Sequence, residues 1–93
     1  MTTVLIFHEV KNGDHWAEAW RKGRGSRHEL FAKHGIKART FKDPKNADST
    51  GVILDVPDIA KLHAFLASDE AKKAMSEDGL KVDTLRLLVE FVP

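Results

Sequence analysis

Few residues in this chain can do chemistry, and histidine leads them. There are five, His8, His15, His28, His34 and His63, with no cysteine and no tyrosine. A metal site needs several donors at fixed spacing, such as His-x-x-x-His on one helix face. No two of these histidines stand four apart, and no carboxylate completes an evident facial set, so no metal is expected. His15, His28 and His34 read as surface or helix-end residues, and His63 as the flank of an amphipathic helix. His8 differs because it follows the apolar run Val4-Leu5-Ile6-Phe7. A neutral imidazole at the end of a buried strand suits a general base or a ligand's hydrogen-bond partner, which makes His8 the catalytic candidate. The competing reading is a core histidine satisfied by backbone or a neighbouring polar group.

The ligand-binding candidates are Trp20, Arg39, Arg86 and Glu90. Trp16 and Trp20 fall at i and i+4 on one helical stripe, which is core by default; an indole whose N–H faces a cavity becomes a ligand-stacking group. Arg39 and Arg86 lie in strands, where a guanidinium can clamp a carboxylate or enolate in a cleft. Glu90 shares the strand face of Arg86, and an ion pair between them is preferred over catalysis. There is no Ser-His-Asp set and no nucleotide fingerprint, since Gly23-Arg24-Gly25 interrupts a helical segment and does not follow a strand. No cofactor is expected.

The elements that position these residues read clearly. Val4 to Val10 is a strand, and Asn12-Gly13 turns the chain. Asp14 is placed to cap a helix carrying Trp16, Ala19 and Trp20. The glycines at 23 and 25 break that helix, and Ser26-Arg27-His28-Glu29 has the capping-box spacing that restarts it. Gly35 ends the second piece. Ile36 to Lys42 is a more polar strand, at a sheet edge where Lys37 and Lys42 discourage further pairing. Val52, Ile53, Leu54 and Val56 make a short run apolar on both faces, hence a central strand. Asp58 caps a second helix (Ile59, Leu62, Leu66), and Ser68 offers a fresh cap within it. After Gly79, Leu85 to Val92 closes the chain as a strand with Leu85, Leu87, Val89 and Phe91 on one face.

The order is βαββαβ, which predicts an α+β, ferredoxin-like fold: a four-stranded antiparallel sheet with two helices, each open to a break, on one face. Residues 1–93 form one domain. The first, third and fourth strands are apolar on both faces, so two helices leave an apolar sheet face uncovered. An identical subunit packed face to face about a two-fold axis would cover it, and a homodimer is expected on that ground.

The pattern resembles the dimeric α/β-barrel superfamily, which includes antibiotic biosynthesis monooxygenase-type domains. The resemblance rests on His8-Glu9-Val10 closing strand one, then Asp14 and Trp16; on Gly35-Ile36 opening strand two; on Asp43 and Pro44 in the hairpin; and on Ser68, Met75 and Gly79 along the last helix. It is closest to small bacterial members of uncharacterised role. The resemblance implies a dimeric barrel and a range of activities: cofactor-independent oxidation of aromatic polyketides, haem degradation, isomerisation, cyclisation, or ligand binding alone. The haem-degrading pattern of an Asn on strand one, a Trp on strand three and a His in the second helix is not met, since only His63 is a loose match. The absence of tyrosine also removes a phenol common in quinone-forming pockets.

Net charge is +1 but uneven: residues 21–45 hold nine basic side chains against Glu29 and Asp43. Such a segment can meet nucleic acid or an acidic protein, yet aromatics are scarce within it and a solvated basic face is the simpler reading. Nucleic acid is not the expected partner. The absence of cysteine, of a leader-like N-terminus and of any long apolar run suits a cytoplasmic protein away from membranes. Two functions therefore stand: a homodimeric small-molecule-binding protein, with a cofactor-independent monooxygenase, isomerase or cyclase among its forms, or a non-enzymatic assembly module using the basic 21–45 segment.

Overall fold

Alternation along the strands and the placement of helix caps build the architecture. A computed structural model describes residues 1–21 and 23–93, so Lys22 of the basic segment lies outside the described residues. The elements are β1 (Thr2–Val10), α1 (Gly13–Trp20), α2 (Arg27–Ala32), β2 (Lys37–Asp43), β3 (Asn46–Val56), α3 (Ile59–Leu66), α4 (Asp69–Glu77) and β4 (Leu80–Val89). The sheet order is β2-β3-β1-β4 and every neighbouring pair is antiparallel. This is the expected ferredoxin-like βαββαβ sheet with each helix in two pieces, β3 inside it and β2 at an edge.

Local chemistry explains the breaks. Ser26 accepts from the Glu29 N–H at 3.2 Å and restarts the first helix as α2, while Ser68 accepts from the Ala71 N–H at 3.2 Å and restarts the second as α4. Asp58 caps α3 through the Ala60 N–H at 2.9 Å. Past α2 the chain reverses at Gly35 (φ 72°), whose N–H donates to the Ala32 carbonyl while Ile36 N–H donates to that of Phe31. That paired closure needs a left-handed residue, which glycine supplies without steric cost.

The central strand β3 reaches back from its apolar run to Asn46, which pairs with Asp43, and two other boundaries differ from expectation. Asn12, not Asp14, caps α1, because its side chain accepts from the N–H groups of both Asp14 and His15 at 3.0 and 3.1 Å. Asparagine caps as well as aspartate, and here the turn residue is itself the cap. The last strand begins at Leu80 and ends at Val89, earlier than Leu85 to Val92, because Leu80 and Lys81 already pair with Val10 and Glu9.

The core lies between sheet and helices. Val4, Ile6 and Val10 of β1 and Val52, Leu54 and Val56 of β3 point into it and meet Trp16, Trp20 and Leu62. The other sheet face carries Leu5, Ile53, Phe7, Phe41 and Leu88, the last three 46%, 48% and 47% exposed. Strand register puts them together: Leu88 opposes Leu5, Leu5 opposes Ile53, and Phe41 opposes Gly51, which opposes Phe7. Among the described residues, no helix is long and apolar enough to cross a membrane.

Candidate functional site

His8 shares the face of Val4, Ile6 and Val10 on β1, so it points under the helices and is 6% exposed. Its register partner on β3 is Thr50. The Thr50 hydroxyl bridges the His8 carbonyl at 3.0 Å and His8 Nδ1 at 2.5 Å; donating its one proton to the carbonyl, as assigned from this geometry, it accepts from Nδ1–H. The imidazole is thereby held as the Nδ1–H tautomer. Nε2 keeps its lone pair and has no hydrogen-bond partner among the described residues. Burial lowers the His8 pKa below its ordinary 6.5, opposed by a backbone hydrogen bond and by the charge of Asp78. The ring is neutral at pH 7.

Helix α1 sets two indoles beside it. Trp16 meets His8 edge-on, with ring centroids 5.7 Å apart, and Trp20 stacks on Phe31 of α2 at 5.4 Å. Trp16 and Trp20 are 2% and 8% exposed, and neither Nε1–H has a hydrogen-bond partner among the described residues. A buried donor left unpaired costs about 1–3 kcal/mol, so two in neighbouring turns of one helix demand a reason.

Arg27, the first residue of α2, closes the far side. Its Nε and Nη2 donate to the two carboxylate oxygens of Asp78, both at 2.8 Å, and Nη2 also reaches Glu77 at 3.3 Å. These charge-assisted bonds, that to Asp78 first, raise the arginine's pKa further. Asp78 is buried at the end of α4, where the last carbonyls of the helix also favour a cation.

These groups surround a cavity of about 50 Å³ between sheet and helices. His8, both tryptophans and the Arg27–Asp78 pair are on its wall; Ile6, Phe31, Val52 and Phe65 make most of the rest apolar. Its walls include the His8 imidazole and two indoles whose N–H donors are unpaired among the described residues. Its one arginine is held by carboxylates. Among the described residues no three His, Cys, Asp or Glu side chains gather as a metal would need.

His8 and Trp20 thus come together, and Arg39, Arg86 and Glu90 do not join them. Arg39 opposes Ile53 and Arg86 opposes Phe7, which puts both guanidinium groups on the open sheet face, across the sheet from His8. Glu90 lies just past β4, its N–H donating to the Thr3 carbonyl at 2.9 Å. No Arg86–Glu90 ion pair forms among the described residues. The expected pair fails on distance: the two are four residues apart, and four strand residues span about 13 Å, so they are not neighbours even on one face. Sequence reasoning missed Thr50, Arg27 and Asp78 as site residues. Each gains its meaning from a partner 42 to 51 positions away, and no local signal marks that.

A search of solved structures returns the crystal structure of an antibiotic biosynthesis monooxygenase, which covers 100% of both chains with a TM-score of 0.72 at 18% identity. This chain has the antibiotic biosynthesis monooxygenase fold. No protein-family model and no curated protein sequence matches it. A monooxygenase-type fold hosts varied chemistry, and the reaction is argued from the site itself.

Proposed function

We propose that this protein is a homodimeric small-molecule-binding protein that acts on a small organic substrate without a cofactor, with His8 as general base. The carrying observation is the His8–Thr50 pair, which keeps a neutral imidazole with a bare Nε2 beside an apolar cavity. Nε2 takes a proton from a C–H or O–H group of the substrate, a step open to a monooxygenase, an isomerase or a cyclase alike. Trp20 packs against the substrate, and the unpaired indole N–H groups suit a ligand bearing acceptor oxygens.

The homodimer is supported by the open sheet face. Leu5, Phe7, Phe41, Ile53 and Leu88 form one exposed apolar surface, and face-to-face packing about a two-fold axis would bury it. Arg39, Arg86 and Glu90 then belong to the space between the sheets or its rim, where a carboxylate of the partner or of a ligand would meet the arginines.

The assembly-module reading has less support. Arg21 pairs with Glu18 at 2.8 Å and Arg27 with Asp78, while Lys37 and Lys42 stand on opposite faces of β2, opposing Asp55 and Thr50. These cations do not form one patch.

A thermal-shift screen of small aromatic and polyketide-like compounds tests the proposal. A compound at a hundred times its Kd adds about 2.7 kcal/mol of stability, and His8→Gln should weaken that gain. No stabilisation by any compound, at concentrations up to solubility, would remove the small-molecule reading.

A further inference from the structure

An organic substrate does not fit the cavity as it stands. About 50 Å³ is a third of the roughly 150 Å³ that holds a benzene. A wall has to move, and the walls are unequal. To the wall, helix α1 contributes the buried Trp16 and Trp20, α3 the buried Phe65, and α4 the buried Ala71 and Ala74; α2, six residues long, contributes Arg27, Leu30 and Phe31, none of them buried.

The barrier is also thinnest at α2. A surface groove of about 240 Å³ between α2 and α4 shares Arg27, Leu30 and Ala74 with the inner cavity. A second groove of the same size, between α1 and α4, shares Arg27 and Asp78 with it. Arg27 is in the wall of all three, so its side chain stands between the cavity and both surface grooves. The chain on either side of α2 is built to turn: Gly23 and Gly25 precede it with φ of 151° and 78°, and Gly35 follows with φ of 72°. Such residues absorb backbone rotation with little steric cost. The strongest polar tether that spans the gap is the two-pronged grip of Arg27 on Asp78, reinforced by Glu77.

We propose that α2 is a hinged cover over the His8 cavity, that Arg27–Asp78 is its latch, and that ligand passes between α2 and α4. This deepens the small-molecule reading and rests on it. Phe31 rides on α2 and stacks on Trp20, so opening the cover uncovers that indole.

The chain has two tryptophans, both on the cavity wall, which makes their fluorescence a direct probe of opening. Acrylamide quenching of the 93-residue chain is measured for wild type, Arg27→Gln and the charge-swapped Arg27→Asp/Asp78→Arg pair, with circular dichroism to establish that each is folded. Loss of the latch should raise the quenching constant at least twofold with an unchanged spectrum, and the swapped pair should return it towards wild type. A folded Arg27→Gln protein quenched no more than wild type overturns the proposal. Should that variant not fold, hydrogen exchange on wild type decides. The N–H groups of Leu30 and Lys33, bonded to the Ser26 and Glu29 carbonyls across the two ends of α2, should exchange by local opening well before those of β1; exchange only with global unfolding overturns the cover. No ligand enters either measurement. A cover that opens in a protein no compound stabilises would retain the hinge and discard the small-molecule reading, and binding without opening would do the reverse.

Discussion

The imidazole of His8 and the hydroxyl of Thr50 fix each other across the β1–β3 ladder: Thr50 donates to the His8 carbonyl and accepts from Nδ1–H, which leaves Nε2 bare toward the helices. Thr50→Val keeps the shape and removes both roles. The Nδ1–H is then buried without an acceptor, and stability should fall by about 1–3 kcal/mol. Imidazole ¹⁵N spectra should show the Nδ1–H form in wild type and its loss in the variant. An unchanged tautomer would mean that Thr50 does not set it.

The same burial predicts a pH dependence. His8's folded pKa lies below the unfolded value of 6.5, so the unfolded chain binds more protons in that range. The stability from keeping His8 neutral is complete above pH 6.5 and is lost as pH falls from there through the folded pKa. Urea unfolding at pH 7.5 and 5.0 should show a larger loss for wild type than for His8→Gln. Parallel losses would place the pH dependence elsewhere.

Leu88 opposes Leu5 in the middle of the open face. In the proposed dimer, Leu88→Asp sets an unpaired carboxylate in the interface at a cost of several kcal/mol. Light scattering across a concentration series should find wild type at twice the chain mass and the variant monomeric or aggregated. A wild type that stays monomeric at high micromolar concentration would remove the dimer.

Ser68 both donates to the Phe65 carbonyl and accepts from the Ala71 N–H, so it ends α3 and begins α4. Ser68→Ala should cost about 1 kcal/mol, a fall in Tm of roughly 4–8 °C for a domain of this size. Calorimetry reads it. A smaller change would mean that packing of Ala71 and Ala74, and not the cap, holds α4.

The sequence by itself determined the element order, the two helix restarts and the apolar character of both sheet faces. Those signals are local: Ser26 precedes Glu29 by three, Ser68 precedes Ala71 by three, and strand alternation has period two, so one apolar run fixes which neighbours share a face. The same period put Leu88 on the face opposite Leu85 and Leu87, and His8 on the face of Val4 and Ile6. Tertiary structure alone decided which chemical groups meet. Arg39 and Arg86 looked equivalent to His8 as strand residues, but pairing with Ile53 and Phe7 turned them to the other face. Arg27 read as a capping-box filler until Asp78, 51 residues on, took both prongs of its guanidinium. The orphaned indoles likewise depend on what fails to reach them among the described residues, a property of the packed helices and of no segment of chain.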